Sequence, residues 1–120
     1  MSNRNLTITN TLKELGVPAS LLGYHYLRYA IDLMANDMSL VNKITKQLYP
    51  EVAKQFKTTI SRAERAMRHA IETGWNRGNN DLQCKLFSYT VDAKKGKPTN
   101  GEFIATVADY ICMIESEEMV

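Results

Sequence analysis

Two cysteines, three prolines and one tryptophan in 120 residues leave little material for several kinds of protein. Cys84 and Cys112 have neither a C-x-x-C spacing nor paired histidines nearby, so a disulfide framework and a zinc site are both unexpected. They read as buried free thiols of a reducing compartment. No apolar run approaches the roughly 18 residues of a membrane span. The first ten residues, MSNRNLTITN, lack the apolar block of a secretory signal, which points to the cytoplasm. Strand-type alternation, internal repeats and low-complexity tracts are missing too. The GKPT at residues 96–99 lacks the spacing of a phosphate-binding loop. No nucleophile stands with a base and no histidine–carboxylate set has metal spacing, so neither an enzyme nor a cofactor is expected.

What is present fits a single helical domain filling residues 1–120. Hydrophobic residues make up 44% of the chain and charged ones 23%, enough for a core and too little charge for disorder. The net charge of +2 conceals a polarity: residues 43–77 hold eight Lys or Arg against three acids, and from Glu102 onward there are five acids and no base. A positive pole of this kind steers a polyanion to one face.

That pole contains the most patterned stretch of the chain. Ile60, Ala63, Met67, Ala70, Ile71 and Gly74 recur at three- and four-residue steps and therefore share one side of a helix. Arg62, Arg65, His69 and Glu72 fall opposite, with Arg68 on the flank. Arginines three apart with alanines between them make a slim cationic rod that fits a DNA major groove; a merely solvated helix face has the same pattern. Just upstream, residues 49–56 (YPEVAKQF) form a short amphipathic segment with Pro50 at a helix start and Val52, Ala53 and Phe56 on its inner side. A short helix, a turn at residues 57–59 and a longer helix compose a helix-turn-helix. Lys57 occupies the corner where glycine or asparagine is usual, because the backbone there takes a positive φ.

The remaining helices are expected at residues 5–15, ended by Gly16; at 19–34, with Leu22, Leu27, Ala30, Ile31 and Met34 inward; at 39–48; at 81–89, after the Gly78-Asn79-Asn80 breaker; and from a capping box of Thr99 with Glu102 onward. The last has Phe103, Ile104, Val107, Ala108, Ile111 and Ile114 as its apolar face. Tyr24, Tyr26 and Tyr29 cannot share one helix face, so they read as core and rim residues and not as a base-stacking platform. His25 reads as a surface histidine. The architecture is an all-α bundle of six or seven helices.

SRAERAMRHAI, preceded by LYPEVAKQF and followed by WNRGN and KPTNGEFIATVAD, resembles the C-terminal effector domain of the stage-zero sporulation protein A family over nearly the whole chain. The resemblance implies a transcription factor domain that binds short operator boxes of TGTCGAA type in double-stranded DNA and activates or represses sporulation genes. It also implies a phosphoaccepting receiver domain ahead of this one in the full regulator, absent from these 120 residues. Arg65 matches the position at which the family reads a base, and its planar fork suits guanine O6 and N7. Glu64 suits cytosine N4 as an acceptor. It is equally placed for a capping box with Ser61 or an ion pair with Arg68, four residues on. Lys57, Thr59, Ser61, Arg62, Arg68 and His69 suit phosphates, His69 alternatively being a plain surface histidine. The segment after the long helix matches the region through which the family contacts the polymerase sigma factor, implicating Asn79, Asn80, Asp81, Gln83 and Lys85. The chain alone is expected to be monomeric, with copies pairing on tandem boxes. Two rival readings remain: an RNA-binding domain, disfavoured by the lack of an exposed aromatic platform, and a helical adaptor that binds only protein.

Overall fold

A computed structural model of the chain describes residues 3–77, 80–88 and 96–119, and among these every regular element is helical. The six α-helices are α1 (Asn3–Glu14), α2 (Leu22–Asn36), α3 (Tyr49–Gln55), α4 (Ile60–Asn76), α5 (Asp81–Phe87) and α6 (Asn100–Glu118). The central helix is α2, packed on α1, α4 and α6. Leu27, Ala30, Ile31 and Met34 of α2 are sealed against Ile8 and Leu12 of α1, Met67 and Ile71 of α4, and Phe103, Ile104, Val107 and Ile111 of α6. Burial on this scale is the main source of stability in so small a bundle.

Local signals set most helix ends. Gly16 adopts φ +88° and closes α1, as expected of a C-terminal glycine. Thr99 Oγ1 accepts from the Glu102 N–H at 3.1 Å and the Glu102 carboxylate accepts from the Thr99 N–H at 2.8 Å, the reciprocal capping box expected for α6. Trp75 of α4, Phe87 of α5 and Phe103 of α6 form an aromatic cluster with centroid separations of 5.1–5.8 Å, which seats short α5 against its neighbours.

Four expectations need correction. Residues 39–48 are not an α-helix: Met38–Asn42 is a 3₁₀ turn and Ile44–Leu48 a π turn, broken at Lys43 (φ −134°). The Asp37 carboxylate accepts from both the backbone N–H and the hydroxyl of Ser39, tightening the first turn. The Lys43 carbonyl accepts from both Gln47 and Leu48, widening the second, while Leu40 and Leu48 stay buried. Leu22 is 67% exposed instead of inward; the neighbouring Gly23 makes the contact with α4. Ile60, at the open first position of α4, is 45% exposed. Cys84 is exposed and Cys112 half-buried; both are free thiols. Residues 78, 79 and 89, from the expected breaker and the expected end of α5, lie outside the described residues.

Candidate nucleic-acid interface

The helix-turn-helix is built from α3, a three-residue corner and α4. Phe56, at the end of α3, packs its ring 4.7 Å from Tyr26 and 5.8 Å from Tyr29, so the tyrosines of α2 serve as a seat for α3. The chain then turns at Lys57, whose φ of +54° is the left-handed conformation expected at this corner. The Thr58 N–H donates to the Ala53 carbonyl at 2.9 Å and closes the turn. Thr59, and not Ser61, caps α4: its hydroxyl accepts from the Arg62 N–H at 3.1 Å.

Two devices fix α4 from behind. Gly23 of α2 lies so close that a Cβ there would fall 1.9 Å from the Ala66 carbonyl oxygen, so only glycine permits this crossing. On the other flank, Asn100 of α6 is buried and donates its amide to the Glu64 carbonyl at 3.0 Å. Ala63, Met67, Ala70, Ile71 and Gly74 are all buried as the periodicity predicts.

The opposite face of α4 is open. Ser61, Arg62, Arg65, Arg68 and His69 are exposed, and Lys57 and Thr59 stand exposed at its N-terminal end. Arg65 reaches back along the helix, its guanidinium donating to the Ser61 hydroxyl at 3.3 Å. Glu64 behaves differently. It is half-buried on the α6 flank and pairs with Arg68 at 2.9 Å, the four-residue ion pair expected as one of its alternatives. Glu72 lies two turns beyond Arg65 on the exposed face, an acid in a basic stripe. Lys97, from the segment before α6, reaches it at 2.9 Å, and this hydrogen bond holds the Glu72 carboxyl below the usual carboxylate range. Tyr49 lines the same flank, where burial pushes its phenol above the ordinary value.

A slim, rigidly seated helix with arginines on its open side is suited to a major groove. The family model described as sporulation initiation factor Spo0A C terminal matches residues 8–111. The chain belongs to this Spo0A C-terminal family. It is accordingly a DNA-binding domain of a sporulation transcription regulator, and the helix-turn-helix is where the Spo0A-type domain offers its positive face. No helix among the described residues is long and apolar enough to cross a membrane.

The α5 residues are placed unevenly. Asp81 and Lys85 are exposed, with the Lys85 ammonium 5.8 Å from the centre of the Tyr110 ring. Asn80 caps α5, accepting from the Gln83 N–H at 2.8 Å. Gln83 departs from its expected exposure: it is buried, donating to the carbonyls of Leu15 at 3.0 Å and Gly74 at 3.2 Å, and so ties α5 to the end of α4. Asn79 is outside the described residues. Sequence reasoning missed Gly23, Asn100 and Lys97. Only Gly23 had left a signal, as a glycine inside a helical pattern.

Proposed function

We propose that α4 reads double-stranded operator boxes of TGTCGAA type, with Arg65 forking onto guanine and Glu64 accepting from cytosine. Lys57, Thr59, Ser61, Arg62, Arg68 and His69 hold the flanking phosphates. The observation that carries this reading is the open stripe of Arg62, Arg65, Arg68 and His69 on a helix capped by Thr59 and locked from behind by Gly23 and Asn100. Glu64 reaches a base only by exchanging its contact with Arg68, which frees Arg68 for a phosphate. On such DNA the cytoplasmic domain activates or represses transcription, monomeric when free and paired on tandem boxes.

A mobility-shift titration on operator and scrambled duplexes tests the assignment. Arg65→Ala loses about 1–3 kcal/mol on the operator and relaxes preference at one guanine, whereas Arg68→Ala weakens both duplexes alike. With about four to six phosphate contacts the log–log salt slope lies near −4 to −5. Parallel loss of specific and scrambled binding in the two variants would overturn base reading by Arg65, and stronger binding to single-stranded RNA would favour the RNA reading.

The exposed Asp81 and Lys85 form a sigma-factor contact on α5. Their alanine variants keep operator affinity and lower activated transcription in a reconstituted assay. Asn80 and Gln83 belong to the framework of this surface, since one caps α5 and the other is buried beneath it.

A further inference from the structure

Beside α4, on its α6 flank, lies an open depression of about 440 Å³ whose lining includes Glu64, Arg68, Glu72 and Lys97 together with Tyr49 and Asn100. Two acid–base pairs border it, Glu64 with Arg68 and Glu72 with Lys97, each at 2.9 Å. Neither is deeply buried: Arg68 and Lys97 are 53% and 44% exposed. Pairs of that kind contribute little to stability. Each instead leaves a cation oriented with donors to spare, because one carboxylate contact leaves an ammonium two of its three protons and a guanidinium most of its five.

Lys97 is also flanked by local constraints on its backbone. Gly96 turns the chain at φ +71°, Pro98 is buried, and Thr99 begins the capping box. A lysine so held loses less freedom on meeting a ligand than one on a loose loop. Its placement answers a defect of the recognition face, where Glu72 would otherwise repel the DNA backbone. Lys97 and Arg68 both act on the Glu72 carboxylate, so positive charge converges where the stripe is interrupted.

We propose that Lys97 and Arg68 form a second phosphate-binding site, gripping the DNA strand that runs along the α6 side of α4. The site extends the basic stripe around Glu72 onto Lys97, 21 residues beyond the end of α4 at Asn76. It takes backbone phosphodiesters, so it adds affinity without sequence preference. It rests on the reading of α4 as the DNA-facing helix.

The test compares the wild-type chain with Lys97→Met, Lys97→Arg and the double variant Lys97→Met/Glu72→Gln, on operator and scrambled duplexes over a salt series, with thermal melts confirming folding. Lys97→Met weakens both duplexes roughly 3- to 10-fold and makes the salt slope shallower by about one, while Lys97→Arg retains the slope. The double variant restores local neutrality. If Lys97 served only to cancel Glu72, the double variant would regain the wild-type slope, and that result overturns the proposal, as does an unchanged slope in Lys97→Met. Loss of operator preference by the wild-type chain would sink base reading by Arg65 alone, since the Lys97 effect is read on scrambled DNA as well.

Discussion

Two arginines clasped by acids, one by each end of α6, show what the same chemistry does in two settings. Arg4 of α1 is 23% exposed and forms a two-pronged pair with Glu115 of α6, at 2.7 Å through both Nε and Nη2. It also meets Asp32 at 3.5 Å and donates to the Asn36 side chain, both on α2, so three helices converge on one guanidinium. Arg68 of α4 is 53% exposed and has a single acid partner one turn away on its own helix. Arg4 has its donors engaged across the fold and therefore holds it together. Arg68 meets Glu64 alone and retains open donors, and exchange of that one contact releases the whole guanidinium to an external phosphate. Half-buried, multi-helix partnering makes a charge structural; local, exposed partnering leaves it available.

The recognition side breaks hardest at the α2–α4 crossing behind it. Gly23→Ala places a Cβ against the Ala66 carbonyl and forces α2 and α4 apart, at a cost of about 3 kcal/mol or more. Thermal denaturation reads this directly, and any fraction that folds binds operator poorly because the recognition helix is displaced. Arg4→Ala comes next. It costs about 1–2 kcal/mol of stability by removing a two-pronged pair with α6 and the links to α2 together, yet keeps the salt slope of DNA binding unchanged. Thr59→Ala removes the cap of α4 and costs about 1 kcal/mol, with a small loss of affinity as the first turn, which carries Arg62, frays. Arg68→Ala reverses Arg4→Ala: its melting temperature stays close to wild type while the salt slope falls by about one.

The smallest effect is on the pH dependence of stability. The Glu115 and Glu72 carboxyls are both held below their ordinary value of 4.5, by Arg4 and Lys97 respectively. A depressed carboxyl contributes stability that is fully present above its unfolded value and lost as pH falls through the folded one. Acid titration of stability therefore shows a loss beginning below about pH 4.5, smaller in Arg4→Ala than in the wild-type chain. In Lys97→Met the change is slighter, because the Glu72 pair is more open to solvent.

Much of the recognition unit was legible because its signals are local. The spacing of Ala63, Met67, Ala70, Ile71 and Gly74 identifies the buried side of α4, and the arginines then fall on the open side by geometry alone. Lys57 marks the corner through its place between two amphipathic segments, and Thr99 with Glu102 announces α6 through a reciprocal hydrogen bond confined to four residues. Periodicity fails over residues 39–48, where the competing side chain of Asp37 and the doubly accepting Lys43 carbonyl replace one helix by two tighter and wider turns. It misplaces Ile60, since a residue in the first turn extends past the neighbours that would cover it.

The sequence alone determined the all-helical class, the helix-turn-helix and its positive pole, because helix periodicity, capping and charge depend on residues within a few positions of one another. Only the tertiary structure decided which polar groups were already committed. Gln83 looked like a surface residue until its amide was found between the carbonyls of Leu15 and Gly74, partners 68 and 9 residues away. Lys97 stood out only within a GKPT string without phosphate-loop spacing, and the fold brings it to Glu72 on the recognition face. Such contacts join segments distant in the chain, and nothing in the local pattern of either partner encodes them.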